Sequence, residues 1–344
     1  MKKFFFSMVA LMVVAVSFAQ NTLVATLSHG DAVKMFFGPS ALISANNEAE
    51  NGDVITLSGG TFACPNFTKG ITIRGTGVNA ENPTTIAYVS GIQEYNTIDI
   101  PQNDNNRFSM EGCIVQLKWS LDRLNISGKS SNIYFLKCKL SYINYTSSGT
   151  ANFVNCDISG FDLSGSGNVK FMNCHLTEFN NQLEYSSIAE FLNCLIEMSY
   201  GSTIINRSSF VNSILFDSGS GYSVHIPAET QSMNCLSIGI SLNGAVSVDC
   251  SYVGKSEATD IFKNCRSVTN TMGYLVVSLL EPYELTDEAK TKYLGTDGKE
   301  IGLYGGQYPF NLTPNYPRIT KLNVAKQTTA DNKLSVDIEV SATE

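Results

Sequence analysis

Apolar and polar positions recur along the middle of the chain in a fixed hexad. Phe135-Leu-Lys-Cys138-Lys-Leu140 returns as Phe153-Val-Asn-Cys156-Asp-Ile158, Phe171-Met-Asn-Cys174-His-Leu176 and Phe191-Leu-Asn-Cys194-Leu-Ile196, with cysteine spacings of 18, 18 and 20 residues. Phe210-Val-Asn-Ser213-Ile-Leu215 continues the series, and Met233-Asn234-Cys235 and Phe262-Lys-Asn-Cys265 echo it after longer intervals. A constant period of this length marks stacked units, each of which buries its apolar face only against its neighbours. Between the hexads lie turn-forming stretches such as Ser147-Ser148-Gly149 and Ser164-Gly165-Ser166-Gly167, which leave no room for a helix of about ten residues. Each period therefore holds short strands, bonded in parallel to the next coil at about 4.8 Å. The pattern predicts an all-β parallel β-helix.

Within a hexad, phenylalanine and cysteine stand three residues apart. Strict alternation would put them on opposite faces, so both point inward only if the chain bends between them. Asparagine occupies the bend at Asn155, Asn173, Asn193 and Asn212. It tolerates a left-handed backbone, and its amide is able to bond along the stack. The expected core columns are Phe135/153/171/191/210, Cys138/156/174/194 followed by Ser213, Leu140/Ile158/Leu176/Ile196/Leu215, and a shorter Ile143/Phe161/Phe179. Stacked thiols with parallel Cβ vectors suit neither disulfide geometry nor the converging ligands of a zinc site. The cysteines are therefore expected to be free apolar filler, with no metal and no cofactor.

An open solenoid end exposes strand edges and needs covering. Ser40 to Glu50 reads as an amphipathic helix, Val54-Ile-Thr-Leu57 as the first strand, and Ile71-Thr-Ile-Arg-Gly-Thr-Gly77 as a strand and turn. Helix, Gly-Asp-Val-Ile-x-Leu, Gly-Thr-Phe, Ile-Thr-Ile-Arg-Gly-Thr-Gly and the Phe-x-Asn-Cys rungs together resemble the pectin-lyase-like superfamily. The resemblance implies a right-handed parallel β-helix with an N-terminal helical cap and a C-terminal cap or hairpin. The expected divisions are residues 1–19 as an export leader, 20–53 as N-terminal cap, 54–270 as β-helix, 271–316 as C-terminal cap, and 317–344 as a hairpin or tail around Thr328 to Asn332.

The leader rests on Met-Lys-Lys, an apolar run from Phe4 to Val16, and small residues at Ser17 and Ala19. Its run is too short for a membrane span, and no later stretch approaches about 18 uninterrupted apolar residues. Export to the periplasm, cell surface or medium is the expectation, with no membrane span after cleavage. A formal net charge of −8 argues against nucleic acid or an anionic membrane as partner, and more mildly against a polyanionic glycan.

The superfamily includes lyases, hydrolases, adhesins and inert scaffolds, so fold alone leaves the activity open. The Asn-Thr-Asp, Asp-Asp, Gly-His-Gly and Arg-Ile-Lys set of polygalacturonase-like hydrolases is missing, as is an aspartate cluster for calcium. One local acid/base candidate remains: Lys139, Asp157 and His175 follow the cysteine on three consecutive rungs, with Glu178 nearby. A solvated ladder of opposite charges gives the same pattern. Tyr142, Tyr145, Tyr185, Tyr200 and Trp119 are candidates for stacking on sugar rings along a flat face. The reading favoured is an exported, non-catalytic β-helix that contacts a polysaccharide or cell-surface glycan in adhesion. The alternatives are a lyase or glycoside hydrolase with an unfamiliar site, and a passive structural spacer.

Overall fold

The computed structural model describes residues 23–78, 86–91, 95–101, 106–116, 123–181, 187–198, 207–219, 230–241, 246–324, 333 and 336–341. The expected export leader lies outside them. Two long sheets are visited alternately by successive coils of a β-solenoid. The first carries parallel strands from Val54–Leu57 to Val246–Val248, and the second from Gly60–Ala63 to Ser251–Val253. A shorter third flank pairs Arg123–Ile126, the second halves of Lys139–Tyr145 and Asp157–Leu163, and Phe179–Asn181.

The hexads fall in register as their period requires. Phe135, Phe153, Phe171, Phe191 and Phe210 are direct partners, with successive ring centroids 5.1, 5.1, 4.9 and 4.7 Å apart and interplanar angles of at most 17°. Leu140, Ile158, Leu176, Ile196 and Leu215 form a second buried column, and Leu124 extends Ile143, Phe161 and Phe179 downward. The buried cysteines are free, and the column also takes in Cys113 and Cys235. From Cys138 onward each thiol in the column donates to the carbonyl of the aromatic or methionine one rung below, as from Cys156 Sγ to Phe135 O (3.4 Å) and Cys174 Sγ to Phe153 O (3.3 Å). Burial pushes the Cys138, Cys156 and Cys174 thiols far above their ordinary range, so they behave as apolar filler.

The bend is left-handed throughout. Asn155, Asn173, Asn193, Asn212 and Asn234 have φ between 48° and 53°, and Lys137 (53°), Gly112 (64°) and Asp249 (52°) take the same place in other coils. The bonds that run along the stack are made by the backbone, for example Asn155 N to Met172 O (3.0 Å) and Asn173 N to Leu192 O (2.9 Å). The side-chain amides instead turn outward to the C-terminal segment. Asn173 Nδ2 donates to Leu303 O (2.8 Å) and Gly305 O (2.9 Å), and Asn212 Oδ1 accepts from Thr296 N (2.9 Å). Lys137 Nζ donates to Thr313 O and Asn315 Oδ1, both at 2.6 Å, and Tyr316 OH reaches Gly75 O at 2.8 Å.

Residues 294–316 are therefore a strap that doubles back down the corner of the solenoid. The approach is close: a Cβ at Gly306 would stand 1.9 Å from Asn193 Nδ2, so only glycine fits there.

At the N-terminal end, the helix Ala41–Glu48 forms as expected and buries Ala41, Leu42 and Ala45 against the core. An antiparallel hairpin, Val24–His29 with Ala32–Phe37, adds two strands to the edge of the first sheet. At the other end Phe262-Lys-Asn-Cys265 is not a rung. It follows the short helix Ala258–Ile261 and leads into an antiparallel hairpin, Cys265–Thr269 with Leu275–Leu279. This cap has its own core of Phe216, Phe262, Leu285 and Tyr293. Beyond the strap, Arg318–Val324 and Val336–Ser341 pair antiparallel, the hairpin that the alternation of residues 317–344 predicts.

Candidate functional site

The sequence file Lys139, Asp157 and His175 is a real column, with each residue the direct strand partner of the next. His175 Nδ1 stands 2.9 Å from Asp157 Oδ1, and Lys139 Nζ lies 3.5 Å from Asp157 Oδ2. A fourth member comes from the next coil: Glu197 Oε1 is 2.8 Å from His175 Nε2. The C-terminal cap supplies two more. Glu281 Oε1 meets Lys139 Nζ at 2.8 Å, and the Tyr283 ring covers the imidazole with centroids 4.2 Å apart.

The outward-facing file is thus not an open surface. His175 is only 2% exposed. Burial alone would lower its pKa, but the hydrogen bonds its imidazole donates to Asp157 and Glu197 outweigh it and raise the value to about 9. Burial likewise pulls Asp157 upward, yet His175 and Lys139 hold its carboxyl below the usual range. Burial and the carboxylates of Asp157, Glu281 and Glu197 push the Tyr283 phenol up. A cation held between two carboxylates under an aromatic lid is a satisfied ion network. Its imidazole has both nitrogens engaged and lies under Tyr283, so the structure places Lys139, Asp157 and His175 at the junction of cap and solenoid rather than on an open face.

Glu178 belongs elsewhere. Its Oε1 accepts from Asn180 Nδ2 (3.2 Å) on the third flank, where Asn180 also bonds Asp162 Oδ1 (3.0 Å). Asp162 pairs with Arg123 and accepts from Tyr142 OH (2.9 Å). Burial and the Asp162 carboxylate raise the Tyr142 phenol to about 12. The Arg123 guanidinium stands 4.5 Å from the centroid of the Tyr142 ring. The next rung on the other side is Gly160, where an added Cβ would meet the ring at 2.2 Å. Tyr142 is half-buried, with its ring packed against Arg123 and close to Gly160.

Tyr145 does not present its ring to solvent. It is fully buried beside Phe161, with its hydroxyl donating to Gly149 O (2.8 Å). Tyr185, Tyr200 and Trp119 lie outside the described residues. At the N-terminal end, His29 Nδ1 stands 2.6 Å from Asp53 Oδ1.

A further group of partly exposed aromatics lies beyond the repeat, which therefore did not single it out. Tyr283, Tyr304 and Phe310 are half-buried around an open depression of about 400 Å³ that Glu281, Asn311 and Leu312 complete. The Phe310 amide bonds Leu303 O (2.8 Å), which sets Phe310 edge-on to Tyr304 with centroids 6.2 Å apart. One wall of this depression is the Glu281–Tyr283 segment that the buried network holds. Its volume lies in the range of small-ligand sites, which combine aromatic walls with a few polar groups.

Among the described residues, no cluster of three or more His, Cys, Asp or Glu is placed to hold a metal ion, and no helix is long and apolar enough to cross a membrane. No family model, curated protein or solved structure matches the chain. The fold defines the class as a parallel β-solenoid.

Proposed function

We propose that this chain is an exported β-helix of the pectin-lyase-like kind that contacts a glycan at the cell envelope without transforming it. The observation that carries the reading is the depression walled by Tyr283, Tyr304 and Phe310 with Glu281 and Asn311 at its rim. Aromatic faces take the C–H side of a sugar ring, and a carboxylate and an amide take its hydroxyls. The non-catalytic half of the reading is supported by His175, the best acid/base candidate, being spent on a buried ion network. Export is supported by the leader-like first nineteen residues.

The test is a glycan array probed with the chain from Gln20 onward, beside reducing-sugar and unsaturated-product assays on the same polysaccharides. Binding without product is expected, and Tyr304→Ala with Phe310→Ala abolishes it. Product formation that survives those changes would transfer the function to a lyase or hydrolase with another site. Neither binding nor product would leave a structural spacer.

A further inference from the structure

Taking the glycan reading as its starting point, we infer that the depression selects neutral pyranose rings over uronic acids. Among the described residues, Glu281 is the one acidic or basic side chain lining the depression, and it is 55% exposed. A sugar carboxylate seated there would face another carboxylate. Sites that hold uronates or other carboxylates place an arginine fork, a lysine or a metal ion opposite them. Here Lys139, His175, Lys263, Lys290 and Lys299 are already committed.

Lys139 is shared between Asp157 (3.5 Å) and Glu281 (2.8 Å), and His175 is sealed beneath Tyr283. Lys263 is divided between Glu284 (3.3 Å) and Asp287 (3.2 Å), and Lys290 stands 3.9 Å from Glu300. Lys299 donates to Gly306 O (3.0 Å) on the strap. Among the described residues, no guanidinium lines the depression.

Neutral sugars meet complementary groups in the same place. The Glu281 carboxylate is a charged acceptor for one or two adjacent hydroxyls. The Asn311 Oδ1 accepts from Thr313 N (2.8 Å), which leaves the amide N–H₂ as the group it presents as donor. Tyr283, Tyr304 and Phe310 supply apolar ring surface for the C–H faces. The chain's overall charge of −8 adds a weaker, long-range repulsion against polyuronates, screened by salt.

Calorimetric titration with neutral hexasaccharides of glucose, galactose and mannose, against hexagalacturonate, reads the selection directly. At least one neutral hexamer is expected to bind with a Kd about tenfold or more below that of hexagalacturonate. Glu281→Gln, at an exposed position, is expected to weaken the neutral ligand a few-fold and to bring the two within about threefold of each other. Hexagalacturonate binding as tightly as every neutral hexamer, or an unchanged ratio in Glu281→Gln, would overturn the inference. If no hexamer binds, or binding survives Tyr304→Ala with Phe310→Ala, the glycan reading itself falls and this selectivity falls with it.

Discussion

Two polar files run along neighbouring flanks of the same coils, and they have opposite fates. Lys139, Asp157, His175 and Glu197 are covered by the C-terminal cap, and the imidazole is sealed under Tyr283. Arg123, Tyr142, Asp162 and Asn180 are partly exposed on the third flank and are bonded to one another. Both files are networks of ions and hydrogen bonds made by adjacent rungs. What separates them is the dielectric around them: a covered charge depends on its partners, whereas a half-exposed one keeps water as a substitute.

The sharpest way to break this comparison is to remove one cation from each file. His175→Ala leaves the Asp157 and Glu197 carboxylates uncompensated under the lid, and a loss of about 3–5 kcal/mol is expected in urea unfolding. Arg123→Ala in the open file is expected to cost less than about 1 kcal/mol. Equal losses would mean that the cap does not exclude water from the first file.

Titration sharpens the same point. His175 has its pKa raised to about 9, well above an unfolded imidazole near 6.5, so its stabilisation is complete below pH about 6.5 and is lost as pH rises through about 9. Unfolding free energy measured across that window should fall by roughly 3 kcal/mol, and His175→Gln should flatten the profile. Asp157 acts in the other direction at acid pH, where its depressed carboxyl gives up its contribution as it is protonated.

A smaller effect tests the strap that joins the cap to the lower coils. Asn173→Gly keeps the left-handed bend but gives up the bonds to Leu303 O and Gly305 O, for an expected loss of about 1–3 kcal/mol. Asn173→Ala should cost roughly 1 kcal/mol more, because alanine resists the φ of 48° at this position. Identical melting of the two variants would show that the bend has moved.

The repeat made the interior legible because a coil buries only what its neighbours bury, and that relation is written in the period. The Phe, Cys and Leu/Ile columns and the left-handed asparagines follow from it. Tyr145 was legible by the same rule: it stands two residues beyond Ile143 on one strand and so shares its inward face. The covering of His175 also left a trace. The outward position after the cysteine runs Lys139, Asp157, His175 and then Leu195, Ile214 and Leu236, and an outward file that turns apolar is one that something else covers.

What covers it was not legible, because the cap and strap contain no period and their contacts join residues more than a hundred positions apart. The N-terminal hairpin was hidden differently. Val33, Met35 and Phe37 alternate as a strand should, but they face solvent, so their pattern does not distinguish an edge from a core.

The return of the strap also decides where mechanical tension would travel. Its far end, Tyr316, is tied to Gly75 and Glu111 among the first coils, close to where Val24–His29 enters the sheet beside Val54–Leu57. Whatever hangs from Pro317 and whatever holds the start of the chain therefore pull on the same end of the rod. The upper coils, with the aromatic depression on their flank, stand outside that line of force like a mast stepped in a deck, free to keep one shape while the base is under strain.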